Sequence, residues 1–267
     1  MKKINKECSN TTHGMYVYLY DNFLKQKRHE SVLKAMETKL TDYGIAGKII
    51  RLQHYTSAEL LVEDEIRKGA KTIVIVGDDT TFGHVLSRAA SCKVTYGFLP
   101  VGQDNAIAQV LGIPLGVEAC DVLARRRKLR LDVGWVNNRY FISQLHIPPS
   151  NISIEYDESF KVSSTTGKME LVVCNLKPFI WTGKGKQYVV HPQDGKLEAF
   201  LRPVVKSKIL RKDLFEAPSI FPFAEMVVSS RTPFPVETDG KVSKEVKITI
   251  KLAKSRIEMV VGKDRKF

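Results

Sequence analysis

The chain has 267 residues, a formal net charge of +13 and 43% hydrophobic residues. This length and composition fit one large domain or two modest ones and argue against a disordered chain. No apolar run approaches the ~20 residues that a membrane-spanning helix needs, and the first residues lack the apolar core of a secretory signal. The four cysteines form no Cys-x-x-Cys pair, so neither a structural zinc nor a disulfide framework is expected. We therefore expect a cytoplasmic protein.

The excess of basic residues predicts attraction to polyanions, such as nucleotides, anionic membrane surfaces and nucleic acids. Nucleic-acid binding is not expected, because the sequence has no zinc-finger spacing, RNP-like aromatic strand or recognition helix. Peripheral contact with an anionic leaflet is one use of the charge, since each Lys or Arg near the surface adds ~1 kcal/mol. A basic surface that only aids solubility is the alternative. The sequence does not predict the oligomeric state.

The first half of the chain alternates strand and helix patterns, which predicts a doubly wound α/β domain over residues 1–130. Short apolar runs predict strands, and amphipathic or capped segments between them predict helices. The predicted strands are 15–20, 48–52, 73–76 and 94–99, and the predicted helices are 31–43, 57–68, 82–90, 105–111 and 116–128. The last helix ends in a basic run at 125–130. That run predicts either a membrane or phosphate contact or a solvated helix end whose cations complement the dipole.

The strand at 73–76 leads straight into a polar turn at 77–80, Gly-Asp-Asp-Thr, and then into a helix. This order presents backbone N–H groups at the carboxyl end of a parallel strand, where anions and other ligands bind in open α/β sheets. The alternative is a purely structural turn in which Asp79 or Thr80 caps the helix.

A second turn of the same kind follows the next predicted strand, at 102–105 with the sequence Gly-Gln-Asp-Asn. It lies one strand–helix unit further along the chain, as adjacent parallel strands require. The two turns could therefore face each other across a single cleft.

From Leu131 the pattern changes to short strand-like runs separated by turns, which continue to a last run at 256–261. Many short strands with regular turns predict an antiparallel β-sandwich. We expect this second domain to cover residues 131–267 and to close the cleft.

Several segments resemble the diacylglycerol kinase catalytic-domain family, which includes bacterial lipid kinases and sphingosine kinases and is distantly similar to NAD kinases. Residues 76–80 resemble its Gly-Gly-Asp-Gly-Thr signature, 100–105 its Pro-x-Gly-Thr-Gly-Asn turn, and 111–114 its Leu-Gly-Ile-Pro segment. Residues 131–141 resemble its bridge into a second domain, 194–197 its Asp-Gly-x-Leu, and 238–241 its Asp-Gly-Glu. The matches follow the family order over most of the chain.

The resemblance implies an ATP-dependent lipid kinase that transfers the γ-phosphate to a lipid hydroxyl, such as that of diacylglycerol, at an anionic membrane surface. ATP and Mg²⁺ are the implied cofactors. Asp78 is the implied Mg²⁺ ligand, and Asp239 is the implied general base, which need only lie near the acceptor hydroxyl. The implied nucleotide-binding residues are Gly77, Asp78, Asp79, Thr80, Gly102, Gln103 and Asn105.

Two of the family-like segments have alternatives. Asp239-Gly240 is also a strong signal for a two-residue hairpin turn, and both interpretations can hold together. Family segments similar to Asp194-Gly195 can hold a structural Mg²⁺, which makes Asp194 a second metal candidate. Residues 191–193, His-Pro-Gln, precede Asp194 and supply no further carboxylate.

The departures from the family pattern fall on the motifs themselves. Asp79 replaces a glycine beside the phosphates, and Gly83 stands where many lipid kinases have a glutamate. The remaining departures are Val76 for Gly, Gln103 for Thr, Asp104 for Gly, Ala106 for Asp and Gln109 for Arg. A carboxylate near phosphate is unfavourable unless a metal intervenes. Two alternatives therefore stand beside the kinase: a non-catalytic relative that binds a nucleotide, lipid or protein, and an NAD kinase-like enzyme.

Overall fold

The structure, a computed structural model, describes residues 15–53, 57–156, 160–163, 167–181, 185–206, 213–215 and 217–267. Its first part alternates strands and helices as predicted. The strands are β1 Met15–Tyr20, β2 Lys48–Arg51, β3 Ala70–Gly77, β4 Thr95–Pro100 and β5 Lys128–Leu131. The helices are α1 Glu30–Asp42, α2 Ala58–Arg67, α3 Asp79–Ala89, α4 Ala106–Val110 and α5 Ala119–Arg125. Short 3-10 turns cover Asn22–Lys25, Lys27–His29 and Gly116–Glu118.

The strand β3 lies at the centre of this unit. Its residues 73–76 are completely buried and belong to one continuous core, as an apolar run without alternation predicts. The strand pairs in parallel with β1 on one side and β4 on the other. Helix α1 contacts α5, and α2 contacts α3, so helix pairs cover the sheet. This arrangement confirms the predicted doubly wound α/β fold.

The second part is antiparallel, and most of its strands surround one core, while the separate pair β12–β13 packs on a smaller cluster. They are β6 Gly134–Val136, β7 Arg139–Phe141, β8 Gln144–Ser150, β9 Ser153–Tyr156, β10 Phe160–Ser163, β11 Lys168–Cys174, β12 Phe179–Trp181, β13 Lys186–Tyr188, β14 Leu197–Lys206, β15 Asp213–Phe215, β16 Ser219–Phe223, β17 Glu225–Thr238 and β18 Lys241–Leu252. Alternate residues of β8, β11, β14, β17 and β18 enter a common buried cluster. The long strand β17 pairs with β9 near its start and with β8 near its end, so the sheet curls around that cluster. The predicted antiparallel β domain is confirmed.

The last strand, β19 Ile257–Val260, returns to the first sheet. Within the described residues that sheet has the order β2-β1-β3-β4-β19-β5, with β19 parallel to β4 and antiparallel to β5. The prediction that 256–261 continues the second domain's strands is therefore wrong. Its alternating apolar residues suit either sheet, and only the pairing decides between them. The division at residue 130 stays a prediction.

The predicted helix over 116–128 is also wrong at its end. Arg126 adopts a left-handed backbone, with φ of 51°, which ends α5 at Arg125. The chain then turns into β5, where Lys128 and Arg130 are exposed and Leu129 packs against the core. The basic run is therefore divided between a helix end and a strand. Within the described part of the chain, no helix has both the length and the apolar character needed to cross a bilayer.

Candidate functional site

The candidate site lies at the carboxyl edge of the first sheet, beside the point where the strand order reverses between β1 and β3. Open α/β sheets bind ligands at such a switch point. Backbone hydrogen bonds join the two polar turns there. The Val101 N–H donates to the Gly77 carbonyl (2.7 Å), and the Asp79 N–H donates to the Asp104 carbonyl (2.9 Å). The two turns therefore lie side by side.

Asp78 ends the first turn and caps α3. Its Oδ1 accepts a hydrogen bond from the Thr81 N–H at 2.9 Å, and the Thr81 hydroxyl lies 3.1 Å from the same oxygen. That hydroxyl also lies 2.8 Å from Asp21 Oδ2, in the loop after β1. Gly77 is needed here, because a Cβ at this position would lie 2.5 Å from Thr81 Oγ1. The capping role that the alternative interpretation gave to Asp79 or Thr80 belongs to Asp78.

Asp79 turns away from its own helix and caps α4. The Ile107 N–H donates to the carboxylate, at 3.1 Å from Oδ2 and 3.3 Å from Oδ1. Burial raises the pKa of Asp79 to about 6, although the N–H groups of Ile107 and Ala106 and the charge of Lys177 oppose the rise. The carboxylate that replaces the family's glycine therefore occupies a backbone donor at the start of α4, directly after the second turn.

The second turn is held by Asn105 and Gly102. The Asn105 Nδ2 donates to the Gly102 carbonyl at 3.0 Å, while Gln103 and Asp104 are exposed at the tip. Gly102 has a φ of 122° and packs against Asp78. The Asn105 Oδ1 atom is buried and has no hydrogen-bond partner among the described residues. A buried acceptor without a partner is costly, so a donor or cation bound beside this turn would satisfy it.

Asp239 reaches the same edge from the second domain. It and Gly240 form the two-residue turn between β17 and β18, with φ values of 45° and 78°, as this hairpin type requires. The Ile142 N–H donates to Asp239 Oδ2 at 2.9 Å and the Ser143 N–H to Oδ1 at 3.1 Å, and the Ser143 hydroxyl also donates to Oδ1. Burial raises the pKa of Asp239 to about 6 against the pull of these donors. The hairpin interpretation is confirmed, and the turn also places a carboxylate in the cleft.

Gly83 allows Asp239 to reach α3. A Cβ at Gly83 would lie 3.0 Å from Asp239 Cβ and 3.2 Å from Oδ1. A residue as large as the glutamate that many related lipid kinases carry here would collide with the carboxyl group. One helical turn before Gly83 in α3, Thr80 lies against the same hairpin: a Cβ placed at Gly240 would lie 3.6 Å from Thr80 Cγ2. The space that a side chain at position 83 would occupy is therefore filled by the carboxyl group of Asp239 from the other domain.

Two hollows meet at the second turn. The loop-side hollow has a volume of about 560 Å³ and is lined by Phe23, Arg28, His29, Asp78, Gly102, Gln103 and Asp104. The hairpin-side hollow has a volume of about 240 Å³, and its lining includes Asp79, Thr80, Asp104, His146, Lys177, Asp239 and Lys241. Asp104 borders both. Of the predicted site residues, those of the two turns and Asp239 are brought together here.

The sequence did not single out the cations of the hairpin-side hollow. Lys177 follows β11 and is half-buried, and its charge acts on Asp79. Lys241 follows the Asp239 turn, and burial, reinforced by the charges of Arg88 and Arg139, lowers its pKa. Lys177 has no recognisable motif around it, whereas Lys241 belongs to the family-like segment at 238–241. Lys177 thus offsets the charge of Asp79, one of the carboxylates that the departures introduce.

Asp194 lines neither hollow and lies in the turn that precedes β14. Its Oδ1 accepts a hydrogen bond from the Lys196 N–H, and its charge adds to burial in raising the pKa of Glu198 to about 7. The nearby Asp132 is already paired with Arg256, whose Nε lies 2.6 Å from Oδ1. No group of three potential metal ligands occurs among the residues that the structure describes. These residues do not fit a structural Mg²⁺ well, and the Asp194 site stays a prediction.

The fold and the cleft together define a two-domain protein in which the switch point of an α/β unit and the carboxylate of a β hairpin border one cleft. A crystal structure of a diacylglycerol kinase from Bacillus anthracis str. Sterne has this fold. It superposes with a TM-score of 0.75 at 17% identity, over 94% of this chain and 98% of that one.

Sequence comparison finds the same similarity in the first half of the chain. Residues 17–136 match the model of the diacylglycerol kinase catalytic domain. The chain is 21% identical over 152 residues to a diacylglycerol kinase of Staphylococcus carnosus (strain TM300), covering 56% of this chain and 49% of that protein. It is 26% identical over 132 residues to one of Staphylococcus aureus (strain JH9), covering 48% and 42%. The alignments thus span about half the length of these relatives or less. The predicted resemblance to the diacylglycerol kinase catalytic-domain family is confirmed, and residues 17–136 are the part of the chain that carries it.

Proposed function

We propose that this protein is an ATP-dependent kinase that phosphorylates the hydroxyl group of a lipid such as diacylglycerol. The observation that supports it best is the meeting of Asp239 with the two polar turns in one cleft. Phosphoryl transfer consists largely of positioning and charge neutralisation. Both the donors and the cations for that purpose are present.

The loop-side hollow is the nucleotide side in this proposal. Its volume of about 560 Å³ suits a small-molecule ligand. Arg28 provides a cation, and the rings of Phe23 and His29, 5.4 Å apart, provide a surface for a base. Asp78 lines this hollow, and Asn105 Oδ1 in the adjoining turn has no partner among the described residues; both are oxygen donors of the kind that Mg²⁺ binds together with phosphates. When bound, Mg-ATP would supply the transferable phosphoryl group and ADP as the leaving group.

The hairpin-side hollow is the acceptor side. Asp239 takes the proton of the lipid hydroxyl as the hydroxyl oxygen bonds to phosphorus. A pKa of about 6 suits a base that works near neutral pH, and Oδ2, which accepts only from the Ile142 N–H, keeps a lone pair for the proton. Lys177 and Lys241 offset the charge that the phosphoryl group brings past Asp79 and Asp104.

The test is transfer of radiolabelled phosphate from ATP to lipids in mixed micelles over a range of Mg²⁺ concentrations. The variant Asp239→Asn keeps an acceptor for the Ile142 N–H and removes the base, so we expect the rate to fall about 100-fold or more. The control Asp42→Asn removes one exposed carboxylate on α1 and is expected to leave the rate unchanged. No transfer to any lipid, or full activity in Asp239→Asn, would contradict the proposal.

The second candidate is a non-catalytic relative that binds a nucleotide, lipid or protein in the same cleft. It is supported by Asp79, whose carboxylate occupies the Ile107 N–H that a phosphate would otherwise use. Calorimetry with Mg-ATP separates the two candidates, since binding without transfer favours the second. The NAD kinase-like alternative predicts transfer to NAD, which the same radiolabel assay measures when NAD replaces the lipid.

A further inference from the structure

A second anionic site is suggested by a basic groove at the opposite edge of the first sheet. The groove has a volume of about 720 Å³ and lies at the amino ends of β3, β4 and β19. Its charged lining consists of six cations and a single carboxylate among the described residues: Lys71, Lys93, Arg126, Lys128, Arg130, Arg256 and Glu258. The strand β3 has eight residues and rises about 3.3 Å per residue, so the groove is separated from the candidate cleft by about 20 Å.

The groove is built by the end of α5 and by the alternation of β5. The left-handed Arg126 stops the helix, and the following strand points Lys128 and Arg130 to one face and Leu129 to the core. Arg126 is held in place, because its Nη1 donates to the Tyr16 hydroxyl and its guanidinium lies 5.3 Å from the Tyr16 ring centroid. The basic run at 125–130, for which the sequence allowed two interpretations, thus contributes Arg126, Lys128 and Arg130 to a concave surface.

The cations of the groove are only partly neutralised. Lys128 Nζ lies 2.8 Å from Glu258 Oε1, and Arg256 is paired with the buried Asp132. Lys71, Lys93 and Arg130 have no carboxylate within ion-pair distance in the described part of the chain. Like charges gathered in a concave surface repel one another and focus a positive potential. That cost is offset when an anion binds.

The floor of the groove adds an independent polar feature. Thr95 accepts a hydrogen bond from Lys128 Nζ at 2.8 Å and pairs in register with Thr72 of β3. Thr72 is fully buried on the same face, and its hydroxyl has no hydrogen-bond partner among the described residues. A buried hydroxyl without a partner is uncommon. Thr72 itself does not line the groove, so the hydroxyl that borders the groove is that of Thr95, which also donates to Glu258 Oε1.

We propose that the basic groove binds a ligand with two or three phosphate groups. Glu258 offsets Lys128 and Asp132 offsets Arg256, which leaves four cations in the lining; a terminal phosphate carries about −1.5 to −2 charges, so these cations correspond to two or three such groups. The chemistry is shared by a free polyphosphate ester and by a lipid headgroup with a phosphate monoester. Occupancy at this edge leaves the carboxyl-edge cleft open, so the ligand binds together with the cleft ligand and does not compete with it.

The groove has a local reporter for testing. Cys92 lines it and is half-buried, whereas Cys120 and Cys174 are buried. Bound tripolyphosphate is expected to slow alkylation of Cys92 by iodoacetamide about fivefold or more by covering the thiol, with the modified peptide identified by mass spectrometry. Because the readout is local, tripolyphosphate in the distant cleft does not produce it. Unchanged alkylation at saturating tripolyphosphate would overturn the proposal.

Matched variants test the residues. Lys71→Gln/Lys93→Gln/Arg130→Gln removes three groove charges, and Lys34→Gln/Lys168→Gln/Lys247→Gln removes three exposed charges elsewhere. By calorimetry in about 0.15 M salt, where exposed charges are screened beyond about 8 Å, we expect about tenfold weaker tripolyphosphate binding only in the groove variant. Equal loss in both variants would overturn the proposal in favour of diffuse charge attraction, as would equal displacement by a DNA duplex.

A vesicle experiment then separates the two sources of phosphate. Phosphatidylcholine vesicles with and without phosphatidic acid are sedimented with the protein and both variants. Binding to phosphatidic acid that tripolyphosphate displaces, and that only the groove variant loses, supports the site and assigns it to a lipid headgroup. Binding of tripolyphosphate without sedimentation supports the site and assigns it to a soluble ligand. Vesicle binding that all three proteins share, with no groove-dependent binding of tripolyphosphate, overturns it.

Discussion

The buried carboxylate of Asp79 is expected to give the protein a measurable pH dependence of stability. Only 8% of the residue is exposed, and burial raises its pKa from 3.8 to about 6. The protonated form is therefore favoured in the folded state relative to the unfolded chain. The stability from this group is fully present below the unfolded pKa near 4 and is lost as the pH rises through about 6. The variant Asp79→Asn removes the titration and keeps an oxygen acceptor for the Ile107 N–H.

The magnitude follows from the shift. A difference of about two pKa units corresponds to about 3 kcal/mol when the carboxylate is fully ionised. At about pH 5 the unfolded chain is already mostly ionised at this position and the folded chain is not, so roughly half of that cost has appeared. Between about pH 5 and pH 7.5, the wild type should therefore lose about 1 to 2 kcal/mol relative to Asp79→Asn. This difference is independent of any constant cost of burying the amide.

Urea denaturation followed by circular dichroism at several pH values measures the free energy of unfolding of both proteins. The control Asp42→Asn removes an exposed carboxylate and should show a profile parallel to that of the wild type. If the profiles of the wild type and Asp79→Asn are parallel over this pH range, the carboxylate is not the desolvated group that its position indicates. The explanation of its role at the α4 cap would then be refuted.

Three further substitutions test the packing around the cleft and the connections between domains. Gly83→Ala places a methyl group 3.0 Å from Asp239 Cβ, so the rate of phosphate transfer should fall about tenfold. The thermal unfolding temperature should change little because alanine favours the helix, and an unchanged transfer rate would contradict the close contact. Arg256→Met leaves the buried Asp132 without its cation and should lower the free energy of unfolding in urea by about 2 to 3 kcal/mol. The double variant Arg256→Met/Asp132→Asn should recover part of that loss, whereas additive losses of the two substitutions would contradict the pairing. Gly262→Ala puts a Cβ 1.7 Å from the Gly112 carbonyl oxygen and should destabilise the chain by about 3 kcal/mol or more; a neutral effect on the melting temperature would show that β19 does not dock as described.

The sequence predicted the parts of the fold that local pattern controls. The uninterrupted run at 73–76 predicts a buried parallel strand, and the polar residues directly after it predict the turn, because strand ends and helix starts are set by neighbouring residues. It could not predict which oxygen caps which helix. Asp78 and Asp79 are adjacent and chemically identical, yet one caps α3 and the other caps α4. That choice depends on where the second turn lies in space.

The sequence also could not predict which distant strands pair with each other. The strand at 257–260 has the same character as the strands before it, and it joins the first sheet only because β4 and β5 leave a place between them. Lys177 is similar, since an isolated lysine after a strand has no pattern that marks it as part of a cleft. Asp239 was predictable because the Asp-Gly turn is both a hairpin signal and a family-like segment.

The position of Asp239 over α3 depends on how the chain passes between the domains. It crosses once after β5 and again between β18 and β19, and the crossings are held together. The Ala253 N–H donates to the Val133 carbonyl at 2.8 Å, and Arg256 pairs with the completely buried Asp132. An ion pair in such a place adds little net stability but strongly favours one arrangement over others that would leave a buried carboxylate alone. These contacts favour one position of the hairpin relative to the polar turns, which reduces the ordering cost of binding a ligand in the cleft.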